Sequence, residues 1–272
     1  MIRISCDDKA DAVRSLARIY GVDVGKVAGI ANGDWPTSIS ESTAPYQDLF
    51  DSRYVPQLMA RHLNGDPDGE FGEVAYYHRT AYDGSADWFQ EGLLASHEAV
   101  NAFLNKIARI VPLGSDDRDI ALANITDRGH CEGPGAGGPY AFDVLDNARY
   151  ADQAGMDYSL PEFFMGNAWS DKYGVCYAAP ILEPLRKKLK PVLVKFSGKP
   201  SDPDAYITNL WQYVFRAWKG EPMGATSHFP CTFCGEGKTV SPDRIIQIVD
   251  LGGLAVDPTS EFSQQISKSL KS

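Results

Sequence analysis

The sequence predicts an α+β fold, and three observations carry the prediction. Apolar residues recur at helical spacing in several separate stretches. Three other runs read as strands: EVAYYHRT (Glu73 to Thr80), KPVLVKFSG (Lys190 to Gly198) and RIIQIVDL (Arg244 to Leu251). Helices and strands mix without strict βαβ alternation, which gives α+β.

The elements follow in order. DKADAVRSLARIY (Asp8 to Tyr20) places Ala12, Val13, Leu16, Ala17 and Tyr20 at helical spacing, and Gly21 stops the helix. VGKVAGIANG (Val24 to Gly33) forms a second short helix closed by Asn32-Gly33, and YVPQLMARHL (Tyr54 to Leu63) a third. NGDPDGEFG (Asn64 to Gly72) is a turn-rich break and sets the expected division, a helical N-terminal segment 1–68 before a domain 69–272. Beyond the strand at EVAYYHRT, DWFQEGLL (Asp87 to Leu94) and HEAVNAFLNKIARI (His97 to Ile110) read as helical, and GHCEGPGAGG (Gly129 to Gly138) as a loop. Tyr140 opens a short strand. Phe142 to Gln153, with Val144, Leu145, Ala148 and Ala151, reads as an amphipathic helix, as does Tyr206 to Trp218.

Composition narrows the function classes. The 272 residues carry a net charge of −10, with 43% hydrophobic and 23% charged residues, the balance of a globular protein. That charge repels phosphate backbones at long range and disfavours a general nucleic-acid binder. No apolar run reaches the ~18 residues of a membrane span, so no membrane partner is expected. The opening MIRISCDDKADAV lacks the basic and apolar blocks of a secretory signal. A cytoplasmic location is expected, and an effector translocated into another cell would look the same.

Two nucleotide motifs fail on their context. Gly133, Gly135 and Gly138 satisfy G-x-G-x-x-G, but a strand does not precede them and Pro139-Tyr140 follows where a helix N-terminus should stand. GEGKT (Gly235 to Thr239) resembles the end of a phosphate loop, yet Thr232 occupies the first glycine position and Pro242 blocks the helix. A third motif stays open. SLARIYGVDVGKVAGIANG has Ala17, Gly21, Val27 and Ile30 at helix-turn-helix spacing, although its second helix offers a base edge or phosphate only Lys26 and Asn32.

The constellation that carries chemistry is AYYHRT, then WFQEGLLAS, then GPYAFDVLDNARY. On a strand, His78 and Thr80 share a face because side chains alternate. The order His-x-Thr, x-Gly-Leu, Gly-Pro-Tyr (Gly138 to Tyr140) and Ala-Arg-Tyr (Ala148 to Tyr150) resembles the ADP-ribosyltransferases. It is most similar to their His-Tyr-Glu class, which includes diphtheria toxin, the poly(ADP-ribose) polymerases and the RNA 2′-phosphotransferases. These three short stretches, within the span Glu73 to Leu251, carry the resemblance.

The resemblance implies a split mixed β-sheet core and an NAD-dependent glycosyltransferase, a toxin, effector or housekeeping enzyme. NAD would be consumed as a substrate. Tyr140 and Tyr150 would clamp the nicotinamide ring, a cationic plane suited to aromatic faces. His78 would bind a ribose hydroxyl, the Arg79 backbone the carboxamide, and Thr80 would assist. Catalysis needs a carboxylate beside the developing sugar cation; TVSPDRIIQIVDL looks like the family's ending, which makes Glu236 the first candidate and Glu221 the second. The implied acceptor is a protein or small molecule, with a nucleic-acid acceptor left open. Two alternatives stand beside this reading: a helix-turn-helix regulator with a ligand-sensing C-terminal domain, and an RNA 2′-phosphotransferase-like enzyme acting on RNA ends.

Five cysteines, an odd number in a long chain, argue against a disulfide framework. GHC and HFPCTFC bring His130, Cys131, Cys231 and Cys234 into consideration as a Cys3His structural zinc site beside Glu236, with free thiols as the simpler expectation.

Overall fold

A computed structural model describes residues 4–67, 72–132, 137–151, 161–164, 169–174, 178–221 and 233–251. Its helices in chain order are α1 (Lys9–Ile19), α2 (Val24–Ala31), α3 (Thr37–Ser40), α4 (Tyr46–Leu49), α5 (Val55–Leu63), α6 (Ser96–Ile107), α7 (Asp117–Glu132), α8 (Leu145–Arg149), α9 (Ser170–Tyr173), α10 (Ala179–Lys188) and α11 (Pro203–Lys219). The strands are β1 (Val74–Tyr82), β2 (Tyr140–Ala141), β3 (Lys190–Gly198), β4 (Phe233–Cys234) and β5 (Ile245–Asp250). One sheet has the order β1-β3-β5 and a second pairs β2 with β4. The fold is α+β. By their contacts the residues form two compact units: Met1–Tyr77 with Ala141–Tyr150 and Phe196–Phe233, and His78–Tyr140 with Ala151–Lys195 and Cys234–Ser272.

In the first unit, local chemistry starts and stops the helices. The Asp8 carboxylate accepts the Asp11 N–H at 2.7 Å and opens α1; Asp23 does the same for α2 through the Gly25 N–H at 2.7 Å. Gly21, with φ 62°, turns the chain between them. Helix α11 begins on Asp202, which accepts from Ala205, with Pro203 in its first turn, and ends at Gly220. Its middle is buried nearly all round, and it packs against α1, α2 and α5.

Aromatic side chains fill that interface. Trp35 meets Trp211 at 5.7 Å and Phe215 at 5.0 Å, both edge-on. The Trp211 indole donates to the Tyr20 hydroxyl at 3.1 Å, which donates to the Pro56 carbonyl at 3.1 Å. Beneath the start of β1, Tyr76 packs on Phe196, Tyr206 and Phe233. The buried Tyr77 hydroxyl donates to Asp7 at 2.5 Å and accepts the Cys6 N–H at 3.3 Å. Such polar atoms are tolerated inside because they are paired.

The second unit builds its core on α6, α7 and a 3-10 turn at Glu162–Phe164. Phe103 meets Trp88, Phe163 and Phe164, each at 5.9 Å and edge-on. The Phe163 carbonyl accepts from Asn124 at 3.1 Å and from the Trp169 indole at 2.7 Å. Asp117 is buried, and Lys172 (2.7 Å), Tyr173 (3.2 Å) and the Gly114 N–H compensate its charge.

Three element expectations need correction. DWFQEGLL is not a helix: residues 86–91 are a turn and Leu93 sits in a β-bridge to Val240. Gly92 holds φ 84° there, and a Cβ on it would stand 2.0 Å from the Val240 carbonyl oxygen, so the backbone is too close and too left-handed for helix. The loop expected from Gly129 does not start there, because α7 runs on to Glu132. The helix expected over 142–153 is confined among the described residues to α8: Phe142 is bridged to Tyr77, and Val144 is extended at φ −124° and ψ 132°.

Candidate functional site

Strand β1 presents its residues by the two-residue alternation. Tyr77, Arg79 and Ala81 are buried, whereas His78, Thr80 and Tyr82 on the opposite face are half-buried. The His78 Nδ1 lies 2.8 Å from the Tyr140 carbonyl oxygen. A carbonyl can only accept, so Nδ1 carries the hydrogen and Nε2 of the neutral ring is left as an acceptor. Burial holds the imidazole pKa below its ordinary value, against a smaller upward effect of the Tyr140 bond. The ring is neutral at pH 7.

That bond ties β1 to the segment Gly137–Tyr140, where Gly137 and Gly138 take φ of 139° and 50°. Tyr140 is 39% exposed, a high value for a large aromatic residue. A second tie brings in the candidate carboxylate: the Gly235 N–H donates to the Pro139 carbonyl at 2.9 Å. Here too the approach demands glycine, since a Cβ on Gly235 would come within 2.5 Å of the Gly138 carbonyl oxygen.

Glu236 follows at the tip of a tight turn. The Lys238 N–H donates to the Gly235 carbonyl at 2.8 Å, and Glu236 and Gly237 have φ of 51° and 73°. Positive φ at both central positions marks a type I′ turn. Glu236 therefore stands in a turn, two residues beyond β4. The side chain is exposed, 3.9 Å from the exposed Lys238 ammonium, a pairing of little energetic weight.

A strap that sequence reasoning missed, Gly92 to Ser96, touches both segments. Leu93 and Val240 exchange backbone hydrogen bonds at 2.9 Å each, the Ala95 N–H donates to Thr239 Oγ1 at 3.1 Å, and the Ser96 N–H donates to the Gly137 carbonyl at 2.8 Å. The Thr239 hydroxyl in turn donates to the Glu98 carboxylate. Its signal in the sequence was Gly92 itself, a residue ill suited to helix.

The structure brings together His78, Tyr140 and, through Pro139 and Gly235, the turn of Glu236, all within the second unit. Thr80 shares the His78 face, and Arg79 is buried at 5% exposure. Tyr150 belongs to the first unit, half-buried at the end of α8 with its N–H on the Asp146 carbonyl at 3.0 Å. Glu221 is also in the first unit. It accepts from the Tyr46 hydroxyl and lies 3.9 Å from the Arg216 guanidinium; burial, followed by this glutamate, pushes the Tyr46 phenol up to about 12.

Of the zinc candidates, Cys234 is half-buried at the end of β4 and is not part of a disulfide. His130 and Cys131 fall on α7 with side chains outside the described residues, and Cys231 lies outside them altogether. Among the described residues, no group of three or more His, Cys, Asp or Glu could hold a metal ion. Lys26, the basic residue of the helix-turn-helix stretch, donates to the Leu63 carbonyl at 3.2 Å. No described helix is long and apolar enough to cross a membrane. No protein-family model, curated protein or solved structure matches the chain.

Proposed function

We propose that this protein is an ADP-ribosyltransferase that cleaves NAD at the nicotinamide–ribose bond and passes ADP-ribose to a protein or small-molecule acceptor. One observation carries the reading: three segments far apart in sequence, at His78, Tyr140 and Glu236, are tied together by hydrogen bonds within one unit. The proposal uses residues of that unit alone.

Each residue type suits a separate task. The exposed Tyr140 ring offers a face to the nicotinamide plane. The neutral His78 Nε2 accepts a hydrogen bond from a ribose hydroxyl, a role open to it because Nδ1–H is committed to the Tyr140 carbonyl. The C1′–N bond breaks with both electrons leaving on nicotinamide, and the sugar becomes an oxocarbenium-like cation. The Glu236 carboxylate stabilises that cation. An oxygen or nitrogen of the acceptor then bonds to C1′ and gives up a proton. The products are ADP-ribosylated acceptor, nicotinamide and H⁺. The acidic chain, at −10, favours a protein or small-molecule acceptor over a polyanion.

The test is nicotinamide release from NAD by the purified chain, followed by chromatography. Glu236→Gln is expected to lower the rate by ~100-fold or more, the scale of a lost transition-state charge contact. Equal release by the parent protein and by Glu236→Gln would overturn the assignment. Incubation of lysate with adenine-labelled NAD then identifies the acceptor by the molecule that carries the label.

A further inference from the structure

We infer that Thr239 is a positioning residue for Glu236, acting through a hydroxyl clamp on the first turn of α6. The inference rests on the reading of Glu236 as the carboxylate that faces the sugar cation. The turn that carries Glu236 is gripped on both sides. At its entry the Gly235 N–H is bound to the Pro139 carbonyl. At its exit Thr239 and Val240 are bound to the strap.

Thr239 supplies the side-chain part of that grip. A hydroxyl has one hydrogen and can also accept. Here the hydrogen goes to the Glu98 carboxylate and a lone pair receives the Ala95 N–H at 3.1 Å. Both partners stand at the start of α6, Ala95 at its N-cap and Glu98 in its first turn. The hydroxyl is thus held in one orientation by the N-cap and the first turn of a twelve-residue helix. Through three backbone links it sets where the Glu236 side chain originates.

An exposed type I′ turn held only by its own hydrogen bond would sample many directions. Catalysis by a carboxylate needs its oxygens near one place, and a displacement of about 1 Å can cost roughly a hundredfold in rate. Glu98 does not touch the sugar in this scheme; its task is to accept from Thr239.

Thr239→Val keeps the shape and removes the hydroxyl, and Thr239→Ser keeps the hydroxyl. The assay is steady-state nicotinamide release over a range of NAD concentrations. Thr239→Val is expected to lower kcat roughly tenfold to a hundredfold, with KM for NAD within about twofold of the parent, and Thr239→Ser to restore most of kcat. Because Thr239 is exposed, both variants are expected to fold, which circular dichroism checks.

Two results would overturn this inference alone: Glu236→Gln is inactive yet Thr239→Val turns over like the parent, or Thr239→Val raises KM and leaves kcat untouched. Thr239→Ser as slow as Thr239→Val would overturn the hydroxyl as the cause. A parent protein that releases no nicotinamide, or releases it equally as Glu236→Gln, overturns the functional reading and this inference together.

Discussion

Glu236 and Asn64 are the non-glycine residues with positive φ among those described, both at 51°. Asn64 closes α5, a place where asparagine is common. A glutamate in that conformation lacks such an excuse, and an L-residue there costs about 1–2 kcal/mol. Type I′ turns prefer Asn, Asp and Gly at this position. Glu236→Gly is therefore expected to raise folding stability, by about 1 kcal/mol or less once glycine's extra unfolded-state freedom is counted, while it abolishes nicotinamide release. Urea unfolding of the two proteins measures the difference, and a clear loss of stability would contradict the turn assignment. The sequence exposed this residue's glycine neighbours but not its backbone angle, and it gave no sign that Gly235 is bound to the distant Pro139 carbonyl.

His78 was legible for a simpler reason: period two is local. His78 and Thr80 fall on one face of β1 as the alternation requires, whereas the hydrogen bond to Tyr140 spans 62 residues and could not be read from spacing. Burial lowers the imidazole pKa in the folded protein, so the unfolded chain takes up this proton at higher pH. Stability is thus full above about pH 6.5 and declines as pH falls toward the folded value. His78→Gln is expected to show a smaller drop in urea midpoint between pH 7.5 and 5.5 than the parent. An identical drop would mean that the ring is freely protonated in the native state.

At the scale of elements, local signals served where each helix carries its own start and stop. Asp8 and Gly21 bound α1, and Asp202 and Gly220 bound α11. They failed where a partner strand decides. DWFQEGLL has apolar residues at intervals a helix could use, but Leu93 pairs with Val240 and fixes the chain in an extended bridge. Gly92 makes that pairing sterically feasible. Gly92→Ala would push a methyl to 2.0 Å from the Val240 carbonyl at a φ that alanine disfavours. A loss of about 2–4 kcal/mol is expected, with faster amide exchange at Leu93 and Val240. An unchanged urea midpoint would show that the strap does not hold these residues. Helix α10 escaped notice because Pro180 and Pro184 punctuate it; Pro180 sits harmlessly in its first turn, while Pro184 lies inside.

At the scale of the whole molecule, what could not be read was which distant segments meet. Trp211 donates to Tyr20 across 191 residues, and α11 completes a core begun by α1, α2 and α5. Each of those helices presents an apolar stripe in the sequence, but a stripe does not say what covers it. The same limit applies to the second unit, where the Pro139–Gly235 contact depends on two glycine-rich segments that read separately as loops. Composition settled less than order of elements: it marked a globular chain and left its chemistry open, whereas the order of helices and strands gave α+β.

Among the described strands, β5 ends the order β1-β3-β5, and its Ile246 and Ile248 are 47% and 40% exposed. A greasy rim strand is a template for unwanted self-association in crowded or partly unfolded preparations. Asp243 and Arg244 precede the run IIQIV and Asp250 follows it, so charged gatekeepers bracket the hazard at both ends.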